Sequence, residues 1–309
     1  MSKTAFVFPG QGSQSVGMGQ DIFNEYEQAR EYYQRANEIL GFDVAELSFH
    51  GPEDMLRQTK YTQPALFVLS VIVAEILKER GVRPDMVAGH SLGEYSALVA
   101  ADALDFEQGL KLVKIRGELM QNAGTYQKGA MAAIIGIVLE RVEKICRLAS
   151  AKGIVGMANF NSPTQIVVSG SVDGVNEVMR LAKLEGAKRV IELNVSGAFH
   201  SPLMQPALEN FSNAVDSTDI KTPSVPIYTN VTATSTVDPA EIKDLLKKQL
   251  VNPVLWARSI ENMIADGADF FVEAGPGSVL SNLIKRINRN VQVFPVNSVE
   301  KMDKLLNQN

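Results

Sequence analysis

The sequence predicts an α/β fold: a largely parallel sheet carrying a small inserted subdomain. Three observations carry this. Short β-like runs alternate with longer helical patterns, as parallel sheets require. Buried apolar runs end in glycine turns at Gly10, Gly89 and Gly275. In the middle of the chain the rhythm changes to β-α-β-β-α-β, a split βαβ order. With 309 residues, 45% apolar and 21% charged, the chain can bury a large core as one large domain or two smaller ones. A net charge of −5 on so ordinary a composition argues against disorder, a coiled coil or a dedicated nucleic-acid binder.

In order, residues 4–8 read as a strand that Pro9 and Gly10 cut short. Residues 63–80 read as an apolar helix ended by Gly81. Residues 86–89 read as a buried strand, and Ser91 opens a helix whose small residues (Gly93, Ser96, Ala97, Ala100, Ala101) allow close packing on a sheet. The middle gives strand 130–138, helix 140–151, strands 154–160 and 165–170, helix 172–185 and strand 188–193, the ferredoxin-like order. Residues 270–274 form a strand, Gly275-Pro276-Gly277 a turn and 278–288 an amphipathic helix. The expected division is a large subdomain, 1–127 with 196–309, and a small ferredoxin-like one, 128–195.

One cysteine and three histidines exclude a disulfide framework, a multi-cysteine metal site and any HExxH-type spacing. No metal is expected. The longest apolar runs, 65–74 and 130–139, span about ten residues where about 20 would cross a bilayer. The apolar run after Met1 is too short for a signal peptide. A cytoplasmic protein without a membrane or nucleic-acid partner is the expectation.

The sharpest chemical signal is Gly89-His90-Ser91-Leu92-Gly93 between a strand and a helix, the context of a nucleophile elbow. The glycines permit a tight turn that lifts Ser91 to a helix N-terminus, where the Leu92 N–H can stabilise an oxyanion. Without that chemistry, Ser91 would be only a helix cap. A serine nucleophile needs a base. His90 points elsewhere as a neighbour on the turn, and His50 lies in a polar surface turn. Elimination leaves His200, which follows the serine in sequence as in α/β-hydrolases. Spacing names no acid to orient it.

Helix geometry selects Arg116. At about 100° per residue from Val113, Glu107, Lys111, Lys114 and Glu118 share a polar face, whereas Arg116 falls on the buried side with Gly109 and Met120. An inward guanidinium needs an anionic partner, which is either a structural carboxylate or that of a substrate. The loop Pro9-Gly10-Gln11-Gly12-Ser13-Gln14 lacks the third glycine of a dinucleotide fingerprint and the Gly-Lys-Ser/Thr of a P-loop. It can still offer the Gln11 N–H as a second oxyanion donor.

Together these residues resemble the malonyl-CoA:acyl carrier protein transacylases of type II fatty acid synthesis. The marks are residues 6–14, 61–66 (Tyr-Thr-Gln-Pro-Ala-Leu), 89–94, Arg116, 197–201 (Gly-Ala-Phe-His-Ser), Asn230-Val231-Thr232 and 273–277. They run in order along almost the whole chain. The resemblance implies an α/β-hydrolase-like core, Ser91 as the acylated nucleophile and His200 as its base. It implies an oxyanion hole from Gln11 and Leu92, and Arg116 as the grip on the malonyl carboxylate. Gln249 resembles the position whose main-chain carbonyl orients the histidine, and Phe199 fits malonyl selection. No cofactor is implied; malonyl-CoA and acyl carrier protein are substrates. An acidic carrier needs a basic patch, for which Lys183, Lys188, Arg189, Lys285, Arg286 and Arg289 are candidates. The oligomeric state is left open, with a monomer among the options. The rival readings are a serine thioesterase or other hydrolase using the same elbow, and a non-catalytic scaffold, which intact Ser91 and His200 disfavour.

Overall fold

The structure, a computed structural model, describes residues 3–307. Its strands, numbered in chain order, are β1 (Lys3–Phe8), β2 (Met86–Gly89), β3 (Gly129–Ile135), β4 (Val155–Ser162), β5 (Gln165–Ser171), β6 (Arg189–Glu192), β7 (Ile227–Tyr228), β8 (Ser235–Thr236), β9 (Ala268–Ala274) and β10 (Gln292–Val296). They form a six-stranded sheet in the order β10-β9-β1-β2-β7-β8 and a four-stranded sheet in the order β4-β5-β3-β6. The large sheet is parallel except for the β7–β8 pair. The small one is antiparallel throughout.

Alternation along β1 explains the layering. Phe6 and Phe8 enter one apolar cluster while Ala5 and Val7 enter another on the opposite face. A parallel sheet covered on both sides has this near-continuous apolar strand. The small sheet divides its faces too. Ala132, Ile134, Ile166 and Val168 pack against Val142, Ile145, Val175 and Val178 of its own helices, Leu139–Ala149 and Val172–Leu184. Met131, Ala133 and Val167 join the main cluster of the large subdomain. The face the small lobe turns inward is therefore already committed to its neighbour, and the seam between them forms the cleft.

Several boundaries differ from the sequence reading. The apolar helix spans Thr59–Glu79, four residues earlier than expected, with Pro64 in its second turn, where only one backbone bond is lost. Thr62 Oγ1 donates to Leu56 O and ties down that first turn. By length and composition this helix could cross a membrane, a possibility the run-length reading missed because Thr62, Gln63 and Ser70 are polar but uncharged. Here it is a core helix, with its most apolar window 83% buried. Strand β3 ends at Ile135, before the left-handed Gly136, rather than at 138.

Candidate active site

The elbow is built from backbone contacts that only glycine tolerates. Strand β2 ends at Gly89, and the next helix begins at Gly93. A Cβ on Gly89 would lie 1.8 Å from the Gly93 carbonyl carbon, and one on Gly93 2.0 Å from Phe8 O. Between them Ser91 takes φ +52°, the left-handed region that costs a serine about 1–3 kcal/mol. Asn230 holds it there. Its Oδ1 accepts from Ser91 N–H at 2.7 Å, and its Nδ2 donates to Gly89 O at 2.6 Å.

Ser91 Oγ lies 2.8 Å from His200 Nε2. His200 is itself left-handed, at φ +56°. Its Nδ1 lies 2.8 Å from the main-chain oxygen of Gln249. A carbonyl can only accept, so Nδ1 carries the proton and Nε2 offers its lone pair to the serine. Gln249 ends the helix Pro239–Gln249, and the last carbonyls of a helix have no partner within it. A helix terminus thus takes the place of a triad acid. Burial, followed by the nearby Arg116 charge, pulls the His200 pKa down to about 3. The imidazole is neutral at pH 7.

Arg116 sits on the helix Phe106–Tyr126 and is 1% exposed, so the inward face holds. Its Nη1 donates to Gln63 Oε1 at 2.8 Å, and its Nη2 to Gln249 Oε1 at 2.8 Å and Ser91 Oγ at 3.0 Å. The Tyr95 ring lies below it, 5.4 Å from the guanidinium carbon. No Asp or Glu among the described residues forms an ion pair with it, and its buried Nε has no partner. The acid nearest in the network, Glu94, lies one side chain away, behind Gln249. Burial pushes the Glu94 carboxyl up to about 7, against the opposing pull of Gln249, Asn230 and Arg116. Of the two partners Arg116 could have, the direct structural carboxylate is missing.

Gly10 presses the N-terminal loop onto the elbow: a Cβ there would meet His90 O at 2.4 Å. This contact brings Gln11 beside Leu92 at one pocket. Among the described residues, neither the Gln11 nor the Leu92 N–H donates to another protein group. The pocket, of about 90 Å³, is lined from the large subdomain by Ser91, His200, Arg116, Gln63 and Phe199. The small lobe adds Met131, Asn159, Leu193 and Val195.

Neither of the other two histidines bonds to Ser91, although His90 lines the same pocket. His90 Nε2 meets Asn161 Oδ1 at 2.8 Å, and its ring tilts against Trp256. His50 is exposed, 3.9 Å from Glu46. Sequence reasoning assigned no role to the side chains of Gln63, Glu94 or Asn230. Gln63 and Glu94 could have been found as polar residues on otherwise apolar helices; Asn230 lies in a turn without periodic signal. The described residues include no cluster of three or more His, Cys, Asp or Glu able to hold a metal.

A family model of the acyl transferase domain matches residues 5–306. The malonyl CoA-acyl carrier protein transacylase of Bacillus subtilis is 45% identical over 304 residues, 98% of this chain and 96% of that one. The Staphylococcus aureus protein of the same name is 45% identical over 301 residues, 97% of each chain. The acyl carrier protein S-malonyltransferase of Vibrio cholerae superposes with TM-score 0.94 at 43% identity, over 98% of this chain and all of its own. A malonyl-transacylase solved with its type II PKS acyl-carrier protein gives TM-score 0.96 at 38% identity over the full length of both.

Proposed function

Since the chain belongs to the acyl transferase family, we propose that this serine–histidine site is that of a malonyl-CoA:acyl carrier protein transacylase. The enzyme moves a malonyl group from malonyl-CoA to the phosphopantetheine thiol of acyl carrier protein, in fatty acid biosynthesis. A malonyl-serine ester is the intermediate.

The residues divide the work. His200 Nε2 takes the Ser91 proton as Oγ attacks the thioester carbonyl. The N–H groups of Gln11 and Leu92 receive the oxyanion, each such donor being worth about 2.7–4 kcal/mol. Collapse breaks the C–S bond, and the proton on His200 goes to the departing CoA sulfur. In the second half-reaction His200 accepts the proton of the carrier thiol, sulfur attacks the ester, and Ser91 Oγ leaves with that proton. Arg116 pairs with the distal malonyl carboxylate. That pairing also relieves the positive field that depresses His200, so the base strengthens when the right substrate is bound.

The observation that carries this reading is the buried guanidinium without a direct acid partner, against the nucleophile in a small pocket. A hydrolase for neutral acyl groups has no use for it. Carrier protein is acidic, and exposed Lys188, Arg189, Lys285, Arg286 and Arg289 suit it. Arg286 donates to Gln165, which pairs with Ile135, as does Arg189, so these cations share one end of the small sheet. That end is four residues along β3 from Met131, on the order of 14 Å from the pocket lining. Lys183, at the end of its helix, adds to the same lobe. Incubation with radiolabelled malonyl-CoA tests the reading. A stable acyl-enzyme that passes label to carrier protein supports it; rapid release of free malonate without transfer would favour the hydrolase.

A further inference from the structure

The serine, the histidine and the arginine absorb the chemistry, yet one buried ionisable group on the helix that follows the elbow has no part in it. Glu94 lies three residues after Ser91, in the first turn of the helix Gly93–Ala100, and is 2% exposed. Its two oxygens reach separate segments of chain. Oε1 accepts from the main-chain N–H of Asn230 at 3.2 Å. Oε2 accepts a hydrogen bond from Gln249 Nε2. Each of those residues in turn holds one member of the catalytic pair. The Asn230 side chain fixes the Ser91 amide, and the Gln249 main-chain oxygen fixes His200 Nδ1. Gln249 Nε2 also donates to Ser91 O at 2.9 Å.

We propose that Glu94 is a positioning residue, a buried clamp through which the nucleophile and the base are held in register by one carboxylate. Three chain segments converge on it: the elbow helix, the turn at Asn230 and the helix end at Gln249. The elbow and the Asn230 turn follow the paired strands β2 and β7, whereas the helix end at Gln249 joins them through side-chain bonds and not through a strand. The carboxylate therefore does the job that the acid of a triad does, but at one remove. It holds the carbonyl that holds the imidazole, and at the same time braces the left-handed serine. An acceptor at both oxygens is what the position demands, since both facing groups are N–H donors.

The inference rests on Ser91 and His200 forming a reactive pair, but not on malonyl as the acyl group. The test separates the two. Glu94→Gln keeps shape and volume but turns an N–H donor towards either Asn230 N or Gln249 Nε2. Ser91 reactivity is read first with a fluorophosphonate, which needs the activated serine but no carboxylate grip, and then with malonyl-CoA. The expected result is labelling and acylation each slower by about 100-fold, a loss typical of misplaced reacting groups, with KM for malonyl-CoA within threefold and the melting transition retained. Labelling at the wild-type rate would overturn the proposal. So would a raised KM with unchanged kcat, because Glu94 would then act on substrate binding through Arg116. If Glu94→Gln does not fold, Glu94→Asp decides. One methylene shorter, it cannot span both partners, and slowed labelling supports the clamp whereas wild-type labelling refutes it. A chain in which labelling slows but which never forms a malonyl-enzyme would uphold the clamp while refuting the malonyl assignment.

Discussion

On the wall of the cleft built by the large subdomain, Ser91, His200, Arg116 and Gln249 are joined by hydrogen bonds of 2.8–3.0 Å, and backbone approaches admit only glycine. On the wall built by the small lobe, Met131, Leu193 and Val195 face the same space with apolar side chains beside one polar one, Asn159, and Leu193 and Val195 are only half-buried. One wall fixes atoms; the other closes over them. Polar chemistry needs partners held at fixed distances, whereas water exclusion needs only apolar surface of roughly the right shape. The division lets a transferase keep its reacting groups rigid while the opposite wall admits a large carrier.

The contrast can be broken most severely at the rigid wall. Ser91→Ala should abolish acylation, leaving no mass shift on the protein after incubation with malonyl-CoA. Arg116→Ala should reduce malonyl transfer far more than acetyl transfer. Removing one partner of a buried charge pair costs about 2–5 kcal/mol, so malonyl transfer should fall by roughly 30-fold to several thousandfold. Equal losses for the two acyl groups, measured as kcat/KM, would remove the carboxylate assignment.

Acidity probes the same wall more gently. A folded-state pKa near 3 keeps His200 neutral well below the 6.5 of a free histidine. Protonation of His200 should therefore cost no rate from pH 7 down to about 5.5, where an unperturbed histidine would have lost about tenfold. The group that titrates in this range is Glu94, pushed up to about 7, and acylation should fall as its carboxylate gains a proton and no longer accepts at both oxygens. A drop centred on 6.5 that persists in a stopped-flow pH series on Glu94→Gln, which has no carboxyl there to titrate, would contradict the burial of the base. The smallest effect is expected across the cleft. Leu193→Ala should cost about tenfold or less, mainly in KM, with more hydrolysis of the acyl-enzyme as water gains access.

Legibility in the sequence followed the same line. The elbow could be read because two glycines bracket a serine between a strand and a helix. His200 emerged from scarcity, and Arg116 from helical phase, both local properties of side chains. The orienting group could not be read from the residues themselves. It is a main-chain oxygen, which every residue possesses, and only resemblance pointed to Gln249. Asn230 and Glu94 went without roles because their meaning lies in which distant segments they join. The fold shows a parallel limit. The alternation in the middle of the chain gave four strands and two helices in order, with ends shifted by at most three residues. Strands β7 and β8, two residues each, are too short for any periodic pattern to appear.

The chain enters the small sheet at Gly129 and returns to the large subdomain by Ala198, and the two points touch: a Cβ on Gly129 would fall 2.5 Å from that of Ala198. A segment whose ends meet can be exchanged as a unit, provided the replacement keeps the inward residues Met131, Ala133 and Val167 that complete the core of the larger subdomain. The apolar wall of the cleft is in that sense an exchangeable cassette. Swapping it between relatives is a route to new acyl or carrier preferences that leaves Ser91, His200 and Arg116 where they stand.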